Sequence, residues 1–204
     1  MTDTPTLEAL LERLRAEAAA DHDPEATPDV GIVMGSDSDL PVMRGAHDAL
    51  VDLGFEEDTG DGTDARYSFE SHVVSAHRTP DLMDVYARTA EDRGLEVIIA
   101  GAGGKSADLP NMTASIAFPL PVIGVPVQEK SVDSVIGMPT GAPILAVDAG
   151  KSYNAALSAV QLLARQHPAL RDRLVDRHAR LREDVAKAAE RLHRTGTPAY
   201  LDEE

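Results

Sequence analysis

The sequence predicts an α/β domain built on a parallel, doubly wound sheet with helices on both faces. Short apolar runs alternate with segments of helical periodicity, the pattern that strand, helix, strand units leave in a chain. Hydrophobic residues make up 43% of the 204 residues but aromatics only 3%, with no Trp, so the interior must be filled by Val, Ile, Leu and Ala. That composition suits a sheet buried between two helix layers. Polar segments bearing glycine follow several of the apolar runs directly, where strands of such a sheet hand the chain to their helices.

The elements follow in order. Leu7, Leu10, Leu11 and Leu14 recur at helical spacing, so an amphipathic helix precedes an acidic, proline-bearing linker at 21–29; residues 1–29 form a leading appendage. The main domain, 30–167, opens with a strand over 30–34 and a helix over about 40–53. A strand near 67–74, a helix near 81–93 and a strand at 97–100 repeat the pattern. Strands at 122–125 and 144–147 come next, the last leading through Ala149 and Gly150 into an Ala-rich helix over about 152–165. Beyond Pro168 the charged segment 170–192 reads as one more helix, with Leu174, Leu181, Val185 and Ala189 among its apolar positions. Residues 168–204 are therefore a helical extension whose apolar face packs on a neighbouring subunit or on the domain's own flank.

Charge and cysteine usage exclude several classes of partner. Nineteen basic against 35 acidic side chains give a formal net charge of −16, a surface that repels nucleic acid and anionic lipid. The excess is spread through the chain as a solvating coat, which suits a high-salt cytoplasm where screening relieves self-repulsion. The absence of cysteine excludes disulfides, thiolate metal sites and a cysteine nucleophile. The first twenty residues lack the basic start and apolar run of an export signal, and no stretch is long and apolar enough to span a membrane, so a cytoplasmic location is expected.

Ligands of such sheets bind beyond the carboxyl ends of the strands, so the loops there are the candidates for chemistry. Gly35, Ser36, Asp37, Ser38 and Asp39 lie between strand and helix, where free N–H groups and hydroxyls favour an anion. The alternative is that Ser38 or Asp39 caps the helix, and the pentapeptide leaves both readings open. Asp39 would repel phosphate and better suits ribose hydroxyls or a ring amine. Ser75, Ala76, His77, Arg78, Thr79 and Pro80 set an imidazole beside a guanidinium, a proton carrier beside a fork for phosphate or carboxylate. The same six residues also read as a helix start with Thr79 as cap and Pro80 in the first turn.

Gly101, Ala102, Gly103 and Gly104 would let a flat ring lie against bare backbone, or simply turn the chain; their spacing is not that of a dinucleotide fingerprint. The segments 124–128 and 138–141 either wall the site or end strands. Loops at successive strand ends converge on one cleft, which gives the weak signals joint weight.

The motifs Gly35 to Asp39, Ser75 to Pro80 and Ala100 to Gly104 are followed in order by Leu109-Pro110-Asn111-Met112, by 121–127 and by 138–143. Together they resemble the N5-carboxyaminoimidazole ribonucleotide mutase family of purine biosynthesis, from about Val30 to Arg165. The resemblance implies a flavodoxin-like, Rossmann-like three-layer domain, a homo-octamer, no metal or organic cofactor, and a small ribonucleotide as substrate. It implies His77 as the acid/base residue, Ser36, Asp39 and Arg78 on the phosphate and ribose, and Gly35, Ser75, Ala102 and Gly103 lining the site. The implied reaction moves a carboxyl group from the exocyclic nitrogen to the ring carbon.

One segment departs from that family. Where the common bacterial pattern has two alanines and a His before Leu-Pro, this chain has Lys105, Ser106, Ala107 and Asp108, one residue longer and without the second histidine. A basic residue followed by Ser resembles the related aminoimidazole ribonucleotide carboxylases that use free carbon dioxide, whereas Arg78 points to the mutases, so the carboxylase stays as the alternative. A related carboxylase acting on a nicotinate dinucleotide needs a cysteine that this chain lacks. A non-catalytic nucleotide sensor on the same fold would leave the His77 and Arg78 pair without a purpose.

Overall fold

The computed structural model describes residues 6–21, 28–60 and 62–201; the middle of the expected acidic linker, 22–27, lies outside them. The chain divides into two compact units, Met1–Leu162 and Leu163–Glu204. In the first, the order is α1 (Leu7–Ala19), β1 (Val30–Met34), α2 (Leu40–Asp52), β2 (Glu56–Glu57), β3 (Ser68–Val73) and α3 (Pro80–Thr89). There follow β4 (Val97–Ala102), α4 (Leu109–Ile116), β5 (Val122–Pro126), α5 (Val132–Ile136), β6 (Leu145–Ala146) and α6 (Ser152–Leu163). The second unit holds α7 (Pro168–Thr195) and α8 (Thr197–Leu201), divided at Gly196, whose φ of 76° ends the long helix. Val175, Leu181, Val185 and Leu192 are exposed along α7.

Six strands form one sheet in the order β2-β3-β1-β4-β5-β6, and every pairing is parallel. The central strands β1, β4 and β5 are buried at every position, which is why they read as unbroken apolar runs and not as alternating ones. Register assigns the two faces. Gly31 and Val33 of β1 stand beside Ile98 and Ala100 of β4, and Val33, Ile98 and Ala100 share one core cluster with Met83 and Tyr86 of α3 and with Leu109 and Ala114 of α4. Met34 and Gly101 pair on the opposite face, where a Cβ at Gly101 would run into Met43 of α2. The face of α2 also carries α6, tied by the Ser152 hydroxyl to the Val42 carbonyl and by the Tyr153 hydroxyl to Asp52 at 2.8 Å.

Four differences from the expected elements have physical causes. Strand β4 continues through Gly101 and Ala102, because both residues complete its pairing with β5. The third helix ends at Thr89 and not near 93: the chain turns at Gly94, with φ of 87°, and Arg93 leaves the helix to enter the interior. Helices α4 and α5 were not expected; α4 opens on Leu-Pro-Asn and α5 is five residues long, so neither displays a helical period. The edge strand β2 is two residues long and both are Glu, which gives it no apolar signature.

Candidate active site

Strand order reverses direction between β1 and β4, the switch point where open parallel sheets bind ligands. A cavity of about 310 Å³ lies there, lined from the loop after β1 by Gly35, Ser36, Ser38 and Asp39, and from the loop after β3 by Ser75, Ala76 and His77. The segment after β4 supplies Ala102, Gly103, Gly104, Ser106, Asp108 and Leu109, and the loop after β5 supplies Gln128 and Lys130. Seven of the eight residues singled out in the sequence line this one space. The eighth, Arg78, braces two of its walls: Nη2 donates to the Gly35 carbonyl at 2.9 Å and Nε to the Ser75 hydroxyl at 3.4 Å.

Three helices begin around the cavity, and their first turns are built alike. Pro41, Pro80 and Pro110 sit at the start of α2, α3 and α4, and the N-cap residues Asp39, Thr79 and Asp108 make no side-chain cap hydrogen bond. In the first loop the Ser36 hydroxyl takes the capping role instead, accepting from Ser38 N–H at 3.3 Å and donating to Asp37 Oδ1 at 3.0 Å. In the second, Thr79 Oγ1 accepts from Ser75 N–H at 3.0 Å and donates to the Ser75 carbonyl at 3.3 Å, closing the loop on itself. The cap reading of Ser38, Asp39 and Thr79 therefore fails at the level of side chains, while Pro80 occupies the first turn as expected. Helix starts without side-chain caps turn their partial positive charge toward the cavity, which favours an anion there.

Asp39 is buried and sits against the glycines: a Cβ on Gly103 would come within 3.0 Å of its Oδ1 and one on Gly35 within 3.5 Å of its Oδ2. Burial pushes its carboxyl above the usual range, and a hydrogen bond with the Ser36 backbone and the Arg78 charge offset this only in part. Such a group accepts hydrogen bonds from neutral donors better than it tolerates phosphate. His77 is 61% exposed, with Nε2 3.2 Å from Asp108 Oδ2, and Asp108 Oδ1 accepts from the Ser134 hydroxyl at 3.1 Å. Asn111 Nδ2 donates to the Ser134 carbonyl at 2.8 Å. Lys130 adds a cation to the wall facing the loops after β1 and β3.

Of the segment 124–128, read as either a wall of the site or a strand end, Gln128 lines the cavity. Sequence reasoning missed Ser106, Ser134 and Lys130 as site neighbours and left Asp108 without a place. The signal for Lys130 was its position just after an apolar run, but nothing local marks Ser134, which reaches Asp108 across 26 residues of chain.

A cavity at the switch point of a flavodoxin-like sheet, lined by an imidazole, carboxylates and a cation, is the arrangement of an α/β enzyme with a small-molecule substrate. Residues 29–184 match the family model described as AIR carboxylase, and the chain belongs to that family. It is 42% identical over 182 residues to the N5-carboxyaminoimidazole ribonucleotide mutase of Thermotoga maritima, spanning 86% of this chain and 98% of that protein. It is 41% identical to the phosphoribosylaminoimidazole carboxylase of Saccharomyces cerevisiae across 98% of this chain, which corresponds to 33% of that protein. The crystal structure of Treponema denticola PurE shares the fold, with a TM-score of 0.64 at 22% identity, covering 83% of this chain and 99% of that one. Among the described residues, no helix is long and apolar enough to cross a membrane.

Proposed function

We propose that the chain is an N5-carboxyaminoimidazole ribonucleotide mutase. The observation that carries this reading is its 42% identity to a mutase across 98% of that protein's length. The cleft supplies what the reaction needs. Arg78, Ser36 and the helix start at Pro80 receive the phosphate, Asp39 accepts from the ribose hydroxyls, and Gly35, Ser75, Ala102 and Gly103 let the flat ring lie close to the backbone.

The chemistry then balances on one proton. The carbon–nitrogen bond of the carbamate breaks, carbon dioxide leaves, and the electron pair stays on nitrogen, which takes a proton from His77. The ring carbon attacks the trapped carbon dioxide, and His77 recovers a proton from that carbon as aromaticity returns. A site that holds carbon dioxide beside the ring converts the second step into an intramolecular one. The alternative, a carboxylase, is supported by Lys105 and Ser106 and by the 41% identity to the phosphoribosylaminoimidazole carboxylase of Saccharomyces cerevisiae. The same reading includes a homo-octameric assembly and a cytoplasmic, high-salt setting, the last supported by the net charge of −16.

The test is turnover of the carbamate ribonucleotide against the uncarboxylated ribonucleotide plus bicarbonate, in high salt, with His77→Asn as control. Turnover of the carbamate at low bicarbonate, lost in the variant while nucleotide binding stays within roughly tenfold, supports the mutase. Turnover only of the uncarboxylated compound with added bicarbonate makes the enzyme a carboxylase, and binding without turnover makes it a sensor.

A further inference from the structure

We propose that Asp108 is a positioning residue that orients the His77 ring, itself held in place by Ser134; this rests on His77 being the proton carrier. The geometry is a chain of three side chains. Asp108 Oδ2 lies 3.2 Å from His77 Nε2, and its Oδ1 accepts from the Ser134 hydroxyl at 3.1 Å. The Ser134 backbone is in turn pinned through its carbonyl by Asn111 Nδ2 at 2.8 Å.

Two further facts give the carboxylate this task and no other. Asp108 stands at the N-cap of α4, where an aspartate ordinarily bonds the first free N–H groups, yet it makes no cap bond; only its carbonyl engages the helix, accepting from Met112 N–H at 3.0 Å. Its side chain is 35% exposed on the cavity wall, against 61% for His77, so the more confined group is the carboxylate and the ring is the part that needs holding.

A carboxylate only accepts, so the proton it faces must be on Nε2, which leaves Nδ1 as the atom that exchanges a proton with the substrate. The ring is thereby fixed in rotation and in tautomer. The residue precedes Leu109-Pro110, where the resembling family carries a histidine.

The experiment compares Asp108→Ala, Asp108→Asn, Asp108→Glu, Ser134→Ala and the Asp108→Ala/Ser134→Ala pair in steady-state turnover, with proton–nitrogen correlation spectra of histidine-labelled protein as a readout independent of activity. The expected result for Asp108→Ala and Asp108→Asn is a fall in kcat of about 10- to 100-fold with KM within about threefold. Asp108→Glu restores most of the rate, Ser134→Ala loses less than Asp108→Ala, and the double variant is no slower than Asp108→Ala because the two act in series. A His77 Nε2–H cross-peak present in the parent and in Asp108→Glu disappears in Asp108→Ala. Unchanged kcat, a change confined to KM, or a cross-peak that persists in Asp108→Ala overturns the proposal. If the parent chain turns over neither ribonucleotide, the functional reading falls by itself, and the cross-peak alone decides whether Asp108 holds the ring.

Discussion

Arg93 meets Glu70 in the interior of the domain through a single nitrogen, Nη1, which lies 2.9 and 2.8 Å from the two carboxylate oxygens. Arg93 is 3% exposed, and His72 Nε2 adds a contact of 3.4 Å to Glu70 Oε2. Burial by itself would raise the Glu70 carboxyl, but the hydrogen bond with His72 and the charge of Arg93 overcome it and hold the group at about 2, against an ordinary 4.5. Because this value lies below that of the unfolded chain, the stabilisation is present above pH 4.5 and is lost as pH falls toward 2. Denaturation midpoints measured from pH 6 down to pH 3 should fall more steeply for the parent than for Glu70→Gln.

Removing one partner is worse than weakening the pair, since it strands a charge in the interior. Arg93→Ala should cost about 3 to 5 kcal/mol. Glu17, more exposed and 3.6 Å from the same Nη1, should cost no more than about 1 kcal/mol when replaced by Ala. Urea unfolding of both variants separates the two cases.

Asp39 works in the opposite sense. Its carboxyl is pushed up chiefly by burial, so the ionised form is disfavoured in the folded chain, and stability declines as pH rises through its folded value. Asp39→Asn should therefore unfold at a higher temperature than the parent at pH 8, with the gap narrowing toward pH 4. With Asp39 as the proposed acceptor for the ribose hydroxyls, the same substitution should weaken nucleotide binding by roughly tenfold or more, as that acceptor is half replaced by a donor. Calorimetry of unfolding and of binding reads both effects; a less stable variant would mean that the carboxylate is a structural asset.

Gly103 has no need of a left-handed backbone, so a methyl group there tests space alone. The added Cβ would come within 3.0 Å of Asp39 Oδ1 and force that carboxylate aside. The expected outcome for Gly103→Ala is a KM raised several-fold with an unfolding temperature within about 2 °C of the parent.

Arg78 links the loops after β1 and β3, and the proposed function assigns it to the phosphate. Arg78→Ala should raise KM by about tenfold or more, and Arg78→Lys should not recover it fully, because an ammonium lacks the planar fork that spans the Gly35 carbonyl, the Ser75 hydroxyl and a phosphate. An unchanged KM removes Arg78 from the binding site.

Local signals carried the sheet and most of its cleft. The apolar runs at Val30–Met34 and Val122–Pro126 were legible because buried parallel strands have no polar face, and the loops behind them because glycine, hydroxyl and proline residues punctuate the chain there. What depended on distant partners was not legible. Ser134 approaches Asp108, and Arg93 approaches Glu70, only after the sheet has formed, and each is an ordinary polar residue in its own segment. Helix α4 was hidden because Pro110, Asn111 and Thr113 interrupt its apolar side, and α5 because five residues are too few to show a period.

Helix α1 precedes residues 29–184, which the family model matches, yet Leu14 is 2% exposed within the core cluster and Glu17 reaches Arg93. Trimming it would wet one flank of the Glu70 and Arg93 pair and bare an apolar patch over α3. The accessory segment has thereby become a dependency, and any effort to reduce this chain to its shared domain must first redesign the floor on which α1 rests.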